Sequence, residues 1–130
     1  MFSKNTEKLE SFVGANSHFK GNIKTKGTLR IDGEVEGNIE ADWLILGENA
    51  HLKGDAVAGG IIVGGRVDGN IKADKIIEIK SKGQVVGEIV TNRLTVAEGA
   101  IFEGRSTMQK EESNVIELQK EERKKAKNQH

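Results

Sequence analysis

Glycine recurs at Gly21, Gly37, Gly54, Gly69, Gly87 and Gly104, at intervals of 16, 17, 15, 18 and 17 residues, each two positions after a large apolar side chain. Such intervals are too short for paired-helix or propeller-blade repeats and match one circuit of a β-solenoid. Aligned on the glycines, the residues before them are Phe19, Val35, Leu52, Val67, Val85 and Phe102. Those after them are Ile23, Ile39, Ala56, Ile71, Ile89 and Ser106. Further upstream, Leu29/Ile31, Leu44/Leu46, Ile61/Val63, Ile77/Ile79 and Leu94/Val96 give a third strand with period two, the pattern of a half-buried strand. An all-β parallel β-helix follows, with three faces and about six coils, over residues 11–108. A short polar leader (1–10) and a charged tail (109–130) flank it, and both are expected to be disordered.

A column of small residues, Ser17, Gly33, Ala50, Gly65, Gly83 and Ala100, precedes the Phe19 column by two positions. A narrow solenoid turning between faces has no room there for a large side chain, and glycine also tolerates positive φ. Four or six residues separate the first and second strands, a difference that loops absorb. No proline interrupts the ladders. Outward positions before the glycines read Lys20, Glu36, Lys53 and Asp68, so adjacent coils place opposite charges side by side and penalise a slip of register.

Composition narrows the function. Acidic and basic residues number 20 each in 130, so nothing implies a nucleic-acid-binding field. Cysteine is absent, which removes disulfides and thiolate chemistry and fits a reducing cytoplasm. No run approaches the length of a spanning helix or a signal-peptide core. The serines lie in tails, corners or loops without a paired base, and Gly59-Gly60 and Gly64-Gly65 lack the following lysine of a phosphate loop. No catalytic or cofactor site is expected. His18, Glu34 and His51 fall in one outward column, a set chemically able to hold a metal. Ladder neighbours on a flat face point in parallel, however, and no metal site is assigned. Leu46-Gly47-Glu48-Asn49-Ala50-His51-Leu52 resembles a hexapeptide-repeat unit, which leaves an acyltransferase-like or carbonic-anhydrase-like solenoid enzyme as one alternative. A monomeric solenoid adaptor is another. Coils of 15 to 18 residues break the strict phase such enzymes keep.

Three surfaces suggest contacts. Phe19 and Phe102 are the largest inward residues of the first and last coils, where a solenoid exposes its core and open backbone edges. Like-to-like contact of such ends would be isologous and give a filament without polarity. Trp43, Ile45, Ile62 and Ile76 share one outer face and are expected to serve lateral association or a partner. The tail segment around Val115, Ile116 and Leu118 is expected to be a solvated spacer.

The repeated Gly21-Asn22-Ile23, Gly37-Asn38-Ile39 and Gly69-Asn70-Ile71, together with Leu29-Arg30-Ile31-Asp32-Gly33-Glu34-Val35-Glu36-Gly37, the six-coil length and the polar tails, resemble a bactofilin. The opening Met1, Phe2, Ser3 and Lys4, with Lys8, resembles the membrane-targeting leader of that family. The resemblance implies a right-handed three-faced β-helix that polymerises without nucleotide into non-polar filaments. It further implies attachment to the inner face of the cytoplasmic membrane and service as a bacterial cytoskeletal scaffold, while the open ends themselves suggest head-to-head and tail-to-tail self-contacts at Phe19 and Phe102. Envelope-synthesis or cell-wall-remodelling proteins are the partners it implies, with cell shape as the outcome.

Overall fold

The computed structural model describes residues 9–108, and every regular element within them is a β-strand. Coil 1 consists of β1 (Leu9–Val13), β2 (His18–Lys20) and β3 (Ile23–Lys24). Coil 2 runs through β4 (Thr28–Ile31) and β5 (Glu34–Glu36) into the first half of β6 (Ile39–Leu46), whose second half opens coil 3. That coil continues through β7 (His51–Lys53) to the start of β8 (Ala56–Val63). Coil 4 takes the rest of β8, β9 (Arg66–Asp68) and the start of β10 (Ile71–Ile79). Coil 5 takes the rest of β10 and β11 (Gln84–Thr91), and coil 6 is β12 (Leu94–Val96) with β13 (Ile101–Met108). Each segment pairs in parallel with its counterpart one coil on, winding the thirteen strands into three faces of six rungs. The three faces and six coils are those the repeat predicts. The first coil opens at Leu9 rather than Ser11, because Leu9 already pairs with Thr28.

Alternation decides which side chains enter the core. Leu29, Leu44, Ile61 and Ile77 stack up the first face, Val35, Leu52, Val67 and Val85 up the second, and Ile39, Ala56, Ile71 and Ile89 up the third. All are essentially inaccessible to solvent. Each inward methyl or isobutyl group rests on the like group above and below, so one continuous apolar column fills the rod. At roughly 4.8 Å per coil the six coils span about 25 Å.

The three corners differ. Between the second and third faces the link is constant, with four residues from Phe19 to Ile23 and likewise in every coil through Phe102 to Ser106. The repeat glycine sits there. Gly37 has φ of +149°, and a Cβ on it would strike the carbonyl oxygen of Gly21 one coil earlier. Next to this glycine a side-chain ladder climbs the corner. The Oδ1 atoms of Asn22, Asn38, Asp55 and Asn70 accept the backbone N–H of Asn38, Asp55, Asn70 and Glu88 at 3.1, 3.3, 3.0 and 3.0 Å.

Between the first and second faces the corner alternates in length. Coils 1, 3, 5 and 6 close it with turns, in which the N–H of Ser17, Ala50, Gly83 and Ala100 donates to the carbonyl of Gly14, Gly47, Lys80 and Ala97. Coils 2 and 4 cut straight across at Gly33 and Gly65, nested against the preceding turn: a Cβ on Gly33 would meet the Gly14 and Ser17 carbonyl oxygens. These small residues supply room. Among the described residues, positive φ belongs instead to the repeat glycines, Gly27 and Gly99.

Candidate functional site

Among the described residues β1, β2 and β3 pair on one side only, as do β12 and β13, so each end of the rod presents open strand edges around an incompletely covered core. At the N-terminal end the ring is Val13, Phe19 and Ile23, and Phe19 is 38 % exposed. At the C-terminal end it is Leu94, Val96, Phe102 and Met108, with Phe102 packed against the core and Met108 39 % exposed. The two phenylalanines thus occupy one inward column at opposite ends, Phe19 against Val35 and Phe102 against Val85. Sequence reasoning aligned Ile23, Leu94 and Val96 in these columns without assigning them to the ends, and did not place Val13, Met108 or Phe12, an outward residue 57 % exposed beside the N-terminal end. Extending the column alignment to the end coils identifies Val96 and Met108, which continue the columns of Ile79 and Thr91.

The second face carries the charge ladder, but its ion pairs run diagonally. Lys20, Glu36, Lys53 and Asp68 are register neighbours as expected. Their side chains nevertheless reach into the adjacent outward column: His18 Nε2 lies 2.9 Å from Glu36, Lys53 Nζ 3.3 Å from Glu34, and His51 Nε2 2.7 Å from Asp68. Side chains two apart on a strand share a face, and long ones span to the diagonal neighbour one coil away. Arg66 grips Asp68 with two N–H groups at 3.0 and 2.9 Å. The hydrogen bonds from Arg66 and then His51 hold the Asp68 carboxyl down at about 2. Lys53, by its hydrogen bond, lowers Glu34.

The metal-capable column therefore does not assemble as the sequence ordered it. His51 turns to Asp68, and the donors that converge are His18, Glu34 and Glu36, within 4.8 Å of one another on the open surface of coils 1 and 2. The expectation that ladder residues only point in parallel fails here, because β5 puts two carboxylates on one face beneath His18. Lys53 Nζ and His18 Nε2 already lie against those carboxylates.

Trp43, Ile45, Ile62 and Ile76 do meet on the outer side of the first face. Ile45 pairs with Ile62, while Trp43 and Ile76 flank Gly60 in the next column. The Trp43 indole lies over Gly60, where a Cβ would collide with the ring. On the other side of Ile45 the bidentate Arg30–Asp32 pair, at 3.0 and 3.1 Å, lies across Gly47 in the same way. Two glycines thus let tall side chains lie down and flatten the flank.

A depression at the third corner is lined by Lys24, Thr25, Lys26, Glu40, Ala41 and Asp42, and the Thr25 hydroxyl there donates to the Lys26 carbonyl oxygen at 3.1 Å. Among the described residues no helix is long and apolar enough to cross a membrane. Met1, Phe2, Ser3, Lys4 and Lys8, and the tail from 109, lie outside the described residues.

Comparison with known proteins agrees with this architecture. Residues 11–107 match the family described as bactofilin, polymer-forming cytoskeletal. Among solved structures the fold is similar to the cryo-EM reconstruction of Thermus thermophilus bactofilin double helical filaments, at 24 % identity and a TM-score of 0.70, over 77 % of this chain and 100 % of that one. No curated protein sequence matches significantly.

Proposed function

The chain belongs to the bactofilin family of polymer-forming cytoskeletal proteins, and from that premise we propose that it is a structural, non-catalytic subunit whose rods join end to end. The contacts are head-to-head and tail-to-tail, need no nucleotide and give filaments without polarity. The observation that carries this reading is the pair of rod ends, each of which, among the described residues, has unpaired strand edges around an apolar ring. Stacking like on like continues the apolar core across the junction by an isologous contact, with antiparallel strands facing each other there, and covers Phe19 at one end, Phe102 and Met108 at the other. The filaments reported for the Thermus thermophilus relative support it.

In this reading Met1, Phe2, Ser3, Lys4 and Lys8 hold the polymer to the inner face of the cytoplasmic membrane. There it organises envelope-synthesis proteins and so cell shape, while the Trp43 flank serves side-on contacts. Negative-stain microscopy of purified protein without nucleotide tests the core of the proposal. Wild-type protein is expected to form long thin filaments. Phe102→Arg is expected to retain the β-sheet circular dichroism and to form none, because a guanidinium would be buried unpaired at the junction. Filaments from Phe102→Arg, or compact trimers or monomers of wild type, overturn it.

A further inference from the structure

The outer side of the first face carries a strip with opposite charges on either side of an apolar centre. In register from coil 1 to coil 6 it runs Phe12, Arg30, Ile45, Ile62, Glu78 and Thr95. Two isoleucines occupy the middle, with a cation below them and an anion above. The flanking charges repeat the arrangement: Asp32 holds Arg30 in coil 2, and Lys80 lies 3.4 Å from Glu78 in coil 5. The adjacent column, Thr28, Trp43, Gly60 and Ile76, is kept flat by the indole lying on Gly60.

We propose that this flank binds a second copy of the chain, antiparallel and in register, about a two-fold axis that runs along the strands between coils 3 and 4. Under that operation Ile45 of each copy meets Ile62 of the other, Arg30 meets Glu78, and Asp32 meets Lys80. The apolar pair is buried at the centre with opposite charges closing both sides. A parallel pairing about the same strip would set Arg30 on Arg30 and Glu78 on Glu78, like charges that electrostatic complementarity rejects. Sliding the parallel copies by one column relieves the charges but lays Ile45 and Ile62 on Gly47 and Gly64 and loses the apolar contact. Only the antiparallel arrangement satisfies both. The proposal rests on end-to-end assembly, because a strip of this size is weak alone and gains strength by repetition along two filaments.

The absence of cysteine from the native chain makes the test clean. Full-length Asp32→Cys and Lys80→Cys, whose like positions would lie three coils apart across the antiparallel contact, are each verified by circular dichroism, assembled separately and as a mixture, treated with a short bismaleimide and run on a denaturing gel. The samples are imaged in parallel. Covalent dimer is expected in the mixture and in neither variant alone, and adding Arg30→Glu to both variants is expected to abolish it. Dimer from Asp32→Cys alone, or filaments in every sample with no cross-link in the mixture, overturns the antiparallel contact and leaves end-to-end assembly standing. A wild type without filaments overturns both.

Discussion

At the scale of single residues, the repeat glycine is the position where geometry leaves least choice. The Gly37 Cβ site is already filled by the Gly21 carbonyl, and the same contact recurs up to Gly104 over Gly87. Gly37→Ala therefore combines an unfavourable positive φ with a collision against backbone, and is expected to destabilise the rod by about 2–4 kcal/mol. Gly14→Ala, which would meet only the Phe12 ring at 3.5 Å and the Ser17 hydroxyl at 3.9 Å, is expected to change stability little. Urea unfolding followed by circular dichroism distinguishes them, and similar midpoints would contradict the steric account. The sequence showed where these glycines lie but not why two kinds exist. Spacing alone does not separate Gly37, which needs its backbone conformation, from Gly33, which needs only space, because the second depends on the neighbouring coil's turn.

At the scale of strands, the inward columns were legible because alternation with period two marks which side chains enter the core, whatever the corner lengths. The outward ladders were only half legible. Register gives neighbours, but a lysine or arginine chooses among several carboxylates within reach, and the diagonal choice of Lys53 for Glu34 rests on side-chain geometry that no spacing encodes. The asparagine ladder was likewise visible only as a repeated Gly-Asn-Ile, with its hydrogen bonds hidden. Asp68 gives the ladder a measurable signature. Its carboxyl is held at about 2, below the ordinary 3.8, so its contribution is fully present above about pH 4 and is lost as pH falls toward 2. After discounting for solvent screening, Asp68→Asn is expected to cost about 1 kcal/mol at pH 7. The gap from wild type should close in unfolding measurements between pH 4 and 2; a gap independent of pH would show that the Arg66 and His51 contacts contribute nothing.

At the scale of the whole molecule, the proposed end-to-end assembly and the proposed membrane contact of the leader would be coupled. Burying Phe2 provides roughly 1.5–3 kcal/mol, marginal for one subunit, whereas many leaders along a filament act together. Deleting residues 2–8 is expected to abolish flotation with anionic liposomes. Phe102→Arg, with its leader intact, is expected to weaken flotation because the polymer is lost; flotation unchanged by the deletion would remove the leader from the mechanism. The rod was readable from the repeat, since each coil needs only its neighbours. The exposure of Val96 and Met108 was not, because a column shows which side chains point inward but not how fully a neighbouring rung covers them. The alternating corner between the first and second faces has a practical consequence. Of its turns at Gly14–Ser17, Gly47–Ala50, Lys80–Gly83 and Ala97–Ala100, the third borders the proposed side-on strip through Lys80 and buries Gly83, while Ser81 and Lys82 at its tip face solvent. A peptide epitope spliced between Ser81 and Lys82 would thus leave the scaffold's spacing intact and decorate each polymer with a regular row of handles, turning the protein into a molecular ruler for arraying cargo.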